Sequence, residues 1–134
     1  MTGQLRYIAI VGSRSASRED VLNAINSTKL SPKHHVIVSG GANGVDKWAA
    51  LLGEELGFHV VLVPAMWKRG KGAGMARNSI IVDIADAVIA VWDGNSSGTK
   101  DTIDKTNAAG KKLEIYAALG ERTDYAAGKE AAAR

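Results

Sequence analysis

Val36-Ile37-Val38-Ser39-Gly40-Gly41-Ala42-Asn43-Gly44-Val45-Asp46 is the stretch that decides the fold. A short β-branched run enters it, and a helical pattern leaves it, with Val45, Trp48, Ala49, Leu52 and Leu56 at helical spacing before Gly57. An apolar run without alternation is a strand buried on both faces, and a helix directly after it makes a β–α unit of a parallel sheet. Glycine at the handover lets backbone approach a ligand closely. The first turn of the helix offers unpaired N–H groups to an anion.

The same handover occurs at three other places. Residues 6–11 form an apolar strand that ends in Val11-Gly12-Ser13-Arg14. Ser17 followed by Arg18-Glu19-Asp20 is a helix cap with acids in the first turn, and Val21, Leu22, Ile25 and Leu30 supply that helix's apolar side. Residues 60–63 form a third strand closed by Pro64, and a basic loop over 65–74 leads into a helix over 75–85 with Ile80, Ile81 and Ile84 facing inward. A fourth strand at 87–92 runs into Trp92-Asp93-Gly94-Asn95-Ser96-Ser97-Gly98-Thr99, and a helix over 98–109 leads to a fifth strand at 113–116. The expected fold is therefore α/β: a Rossmann-like, doubly wound sheet of five parallel strands with helices on both faces. Residues 1–116 are expected to form this Rossmann-like domain, and the Ala-rich segment 117–134 a surface helix or tail.

A chain of 134 residues suits one domain, and 46% hydrophobic residues suffice for a core. A net charge of +3 is too small by itself to argue for nucleic acid. Absence of cysteine excludes disulfides and thiolate chemistry. No apolar run is long enough for a signal-peptide core or a membrane span, so a cytoplasmic location without membrane contact is expected.

In a parallel sheet all four glycine turns share the carboxyl edge, where ligands bind. His34, His35 and His59 fall at the opposite edge, so neither a histidine base nor a metal is expected at the site, and no cofactor is implied. Ser39-Gly40-Gly41-Ala42 and Gly98-Thr99 are candidate phosphate sites, although they match neither the dinucleotide fingerprint nor the P-loop. Arg77 is the candidate counter-charge, with Asn78 beside it bonding backbone or ligand. Asp46 either steadies the start of its helix or grips a ribose hydroxyl. Asp93 ends the fourth strand, where it makes a turn or points into the cleft; the cleft is the favoured expectation. Asp104 is read as a solvated residue. Lys68, Arg69 and Lys71 lie in a glycine-rich loop that could close over an anion, and Trp67 and Trp92 are placed to stack on a base.

These turns together resemble the SLOG superfamily of Rossmann-like domains. The matching residues are Gly12-Ser13-Arg14, Ser39 to Ala42 with Gly44-Val45-Asp46, Pro64-Ala65 with Trp67, Gly70-Lys71 with Ala73-Gly74, Arg77-Asn78, Ala85-Asp86, and Trp92-Asp93-Gly94 with Ser96 and Gly98-Thr99. They are most similar to the YspA-like and cpYpsA-related branch, and more distantly to the Lonely-Guy phosphoribohydrolases and the DprA-like proteins. That resemblance implies a phosphorylated, nucleotide-derived ligand such as an ADP-ribose-type signal, and a homodimer. The Lonely-Guy P-G-G-x-G-T-x-x-E motif is only half kept, because Gly94-Asn95-Ser96 replaces P-G-G and Thr102 replaces the catalytic acid.

The expected function is a sensor or sequestering protein for a nucleotide-like ligand. An N-glycosidic hydrolase using Asp93 or Asp101 is the alternative. Single-stranded nucleic-acid binding through Lys68, Arg69, Lys71 and Trp67 ranks last, with nucleic acid disfavoured as a partner.

Overall fold

The computed structural model describes residues 4–41, 44–70 and 72–120. Five strands, β1 (Arg6–Gly12), β2 (His35–Ser39), β3 (Val60–Leu62), β4 (Ala87–Trp92) and β5 (Lys112–Ala117), form one sheet in the order β3-β2-β1-β4-β5. Every pairing is parallel. Four helices alternate with them: α1 (Arg18–Ser27), α2 (Val45–Glu55), α3 (Ala73–Ile84) and α4 (Ser97–Ala108). This is the doubly wound α/β architecture that the alternating pattern predicts.

Period-two alternation divides the central strands between two cores. Ile8 and Ile10 of β1 join Ile37, Ile89 and Val91 against Val21 and Ile25 of α1 and Val45, Ala49 and Leu52 of α2. Ala9 and Val11 join Val38, Val88 and Ala90 against Ile81 of α3 and Ile103 of α4. β1 and β4 lie in the middle and bury both faces, which is why they read as unbroken apolar runs.

The helix ends follow their sequence signals unevenly. Ser17 caps α1 as expected and forms a reciprocal box with Asp20: the Asp20 N–H donates to Ser17 Oγ at 3.2 Å, and the Ser17 N–H to Asp20 Oδ2 at 3.0 Å. At the other end of α3 the cap is remote. The Lys111 ammonium donates to the carbonyls of Val82 (2.6 Å), Asp83 (3.0 Å) and Ala85 (2.7 Å), groups the helix itself leaves unpaired.

One facing pattern differs from expectation. Ile81 is buried, but Ile80 and Ile84 are 50% and 37% exposed. The inward stripe of α3 is Asn78, Ile81, Val82 and Ala85, with Ala85 at the helix C-cap. The polar Asn78 sits in that stripe because the neighbouring helix supplies its partners. Leu56 is likewise exposed, at the frayed end of α2. The segment called a tail starts as β5, which runs to Ala117; residues 121–134 lie outside the described residues.

β1 ends in a tight crossing. A Cβ on Gly12 would overlap the Val91 carbonyl oxygen and lie 2.7 Å from Val45 Cγ2, so β4 and α2 both close on this point. Gly12→Ala is expected to lower stability by about 1–3 kcal/mol, as overpacking does, read from the midpoint of a urea unfolding curve. Gly98→Ala, where a Cβ meets nothing within 4 Å, is the control and should leave the midpoint nearly unchanged.

Candidate functional site

The sheet order reverses direction between β1 and β4, and outside the carboxyl ends of those strands lies a cleft of about 640 Å³. All four glycine turns reach it. Gly12, Arg14 and Ser15 line it from the β1 exit, and Asp46 from the first turn of α2. Trp67, Gly74, Met75, Arg77 and Asn78 line it from the third turn and α3. Asp93 and the segment from Ser96 to Thr99 complete the wall, with Ile81 and Thr102 also lining it.

Several expected ligand contacts instead hold the turns in shape. Ser13 is fully buried. Its N–H donates to the Val91 carbonyl at 3.0 Å, its carbonyl accepts the Val45 N–H at 3.3 Å, and its Oγ accepts the Asp93 N–H at 3.0 Å. Ser39, also buried, donates through Oγ to the Asp46 carbonyl at 2.9 Å and accepts the Gly41 N–H at 3.3 Å. Arg77 donates through Nη1 to the Gly40 carbonyl at 3.0 Å and lies 3.9 Å from Asp46 Oδ2. A Cβ on Gly40 would overlap that guanidinium. The glycine is therefore needed by Arg77, and the Gly40-Gly41 turn is filled from within the protein. Neither glycine lines the cleft, nor does Gly94. Ala42 and Lys71 lie outside the described residues.

Asn78 uses both ends of its amide. Oδ1 accepts Arg77 Nε at 3.1 Å, while Nδ2 donates to the Gly98 carbonyl at 3.2 Å and to Asp101 Oδ2 at 3.1 Å. Asp101 also receives Lys105 Nζ at 2.8 Å and does not line the cleft, so its carboxylate is committed to joining α3 and α4. Thr102 is buried and donates back to the Gly98 carbonyl at 3.3 Å. Asp104 pairs with Lys100 on the exposed face of α4, as read from the sequence.

Asp93 does both things foreseen for it. Oδ1 accepts the N–H groups of Asn95 and Ser96, each at 2.8 Å, and Oδ2 accepts the Ser15 hydroxyl at 3.3 Å, while the residue also lines the cleft. The backbone N–H of Asn95, then that of Ser96, holds its carboxyl below the usual carboxylate range.

The tryptophans part company. Trp92 is half-buried, donates Nε1–H to the Ser96 carbonyl at 3.0 Å and packs on the α3–α4 core. Trp67 opens a short 3-10 turn, Trp67–Arg69, and is 59% exposed at the cleft edge. Lys68 and Arg69 beside it are exposed, as is Arg14 across the cleft. Among the described residues none of these three cations makes an ion pair. Sequence reasoning passed over Ser15, Met75 and Ser97. The two serines sit in turns already marked, and the exposed Met75 follows Gly74 at the start of α3.

A parallel five-stranded sheet with a ligand-sized cleft at its switch point defines a Rossmann-like binding domain. A family model described as DNA recombination-mediator protein A matches residues 1–66. Among solved structures, the fold is similar to DNA processing protein A (DprA) from Streptococcus pneumoniae, with a TM-score of 0.69 and 23% identity, covering 83% of this chain and 50% of that one. It is also similar to the DNA processing protein A of Helicobacter pylori, described for its single-stranded DNA binding mode, with a TM-score of 0.62 and 20% identity over 96% of this chain and 74% of that one. No curated protein matches. This chain thus spans half the length of the pneumococcal protein. The SLOG resemblance is borne out as to fold, and the matches fall on the DprA-like proteins that the sequence reading placed as more distant.

Two expectations are corrected. The sensor or sequestering protein for a nucleotide-like ligand is overturned, because the family model and both structural neighbours are DNA-processing proteins. At the Gly40-Gly41 turn, Arg77 sits on the Gly40 carbonyl. Disfavouring nucleic acid as a partner is overturned by the same matches; a net charge of +3 does not report how the charges are placed. Among the described residues no helix is long and apolar enough to cross a membrane.

Asp93 gives the site a pH signature. A carboxyl whose pKa is lowered by folding adds stability at neutral pH, and this is lost as pH falls through the folded-state value, below about 4. Asp93→Asn should therefore melt below wild type at pH 7, with the difference shrinking on acidification under pH 4, as followed by circular dichroism.

Proposed function

We propose that this domain binds single-stranded DNA across the carboxyl edge of its sheet. The observation that carries the reading is Trp67, 59% exposed at the rim of the cleft and followed directly by the exposed Lys68 and Arg69. An indole held out of the core between cations is a platform for an unstacked base, with the charges taking the flanking phosphates. A duplex hides its base faces by stacking, so the platform favours a single strand. Arg14 lies on the other side of the cleft and extends the cationic track. The match of residues 1–66 to DNA recombination-mediator protein A and the fold shared with the single-stranded DNA-binding protein of Helicobacter pylori support the same partner.

Arg77 is assigned to support this surface. Nε and Nη1 are held by Asn78 and Gly40, which fixes the guanidinium at the cleft wall. Ser13 and Ser39 act as scaffold within their turns, and the stacking and phosphate contacts come from the third turn and from Arg14.

Fluorescence anisotropy with a labelled oligo-dT and its duplex tests the reading. The single strand should bind more tightly than the duplex. Trp67→Ala should weaken it by about five- to a hundredfold, the range of one base–aromatic stack. The double variant Lys68→Ala/Arg69→Ala should flatten the slope of log affinity against log salt by about 1.4, two phosphate contacts on a single strand. A Trp67→Ala protein that binds as tightly as wild type would overturn the placement.

A further inference from the structure

A cleft that receives a polyanion should not carry an uncompensated carboxylate, yet Asp93 is one. It lines the cleft, is exposed, and among the described residues forms no ion pair. The other acid on the wall, Asp46, has Arg77 3.9 Å away. The turn explains only half of Asp93: Oδ1 is taken by the two N–H groups of Asn95 and Ser96. An asparagine keeps these two bonds, since its amide oxygen accepts them, and loses only the strengthening that the charge gives. Oδ2 accepts the Ser15 hydroxyl at 3.3 Å, the Ser13 hydroxyl also lies beside the carboxylate, and the residue is exposed and lines the cleft.

A phosphate is repelled from this oxygen, whereas a hydrogen-bond donor is drawn to it. On a DNA strand the neutral donors are on the bases, and a carboxylate accepts well from an exocyclic amino group such as cytosine N4. The corresponding position of thymine is a carbonyl oxygen, which a carboxylate repels. Arg14 lines the cleft together with Asp93, and the exposed Lys68 and Arg69 directly follow Trp67 of its wall, so cations and the carboxylate at the end of β4 share this edge. Resting on the single-strand reading above, we infer that Asp93 is a specificity-determining residue, which accepts the exocyclic amino group of a base and makes the domain prefer amino-bearing bases over thymine.

Oligo-dC and oligo-dT of equal length differ at this position by amino against oxo, which makes them the probe. Binding of each is measured by anisotropy at mildly alkaline pH, with a chelator present to remove bridging metal ions. Wild type should bind oligo-dC tighter than oligo-dT by roughly fivefold or more. In Asp93→Asn, which keeps the Oδ1 acceptor of the turn, the ratio should fall to about one, chiefly through tighter binding of oligo-dT. Equal binding of both oligonucleotides by wild type overturns the inference and leaves the single-strand reading standing. So does a ratio that Asp93→Asn leaves unchanged. Failure of wild type to bind either oligonucleotide removes the reading itself. The wild-type ratio needs no variant, so a folding defect in Asp93→Asn cannot hide the answer.

Discussion

Ser13 ties together three segments at the switch point of the sheet. Its N–H reaches β4 at Val91, its carbonyl receives the first amide of α2 at Val45, and its hydroxyl receives the amide of Asp93 beyond β4. Buried polar groups are costly unless paired, and these three are paired with one another's elements. The constraint fixes how far β1 and β4 diverge at the switch point and therefore the width of the cleft. Gly12 before it has no side chain because β4 and α2 come too close for one. Arg14 after it is the first residue free to face solvent.

A second layer stands on that clamp. Asp46, Arg77, Asn78, Asp101 and Lys105 form a line of polar contacts from α2 through α3 to α4. It joins the two helix layers around the end of the sheet, where the apolar cores cannot reach. Its members are polar residues of the kind that sequence reading assigns to ligands, because turn-forming and ligand-binding groups have the same chemistry and the same address. Only the distances separate Ser39, whose hydroxyl is spent on its own turn, from Ser97, which is left facing the cleft.

That ambiguity marks how far the sequence could be read. Strand and helix order was legible because β1, β2 and β4 are buried on both faces and their runs are unbroken. The edge of the sheet carrying the site was legible from glycine placement alone. The inner stripe of α3 was hidden because a polar residue, Asn78, stands in it, while Ile80 and Ile84 offered a competing apolar pair. The proposed partner was hidden for a different reason. Net charge sums over the whole surface, and the excess acids of α1 and α2 offset cations elsewhere in the chain. Trp67 was the visible trace of it, an aromatic in a basic loop with no core nearby to claim it.

The remote cap on α3 bears on how the chain acquires its structure. A helix ended by glycine is finished locally, as soon as its own residues are made. α3 is finished by an ammonium that arrives 26 to 29 residues later, just before β5. The C-terminus of α3 is thus complete only once Lys111 is in place, so the cleft wall that carries Arg77 and Asn78 depends on a residue beside the last strand.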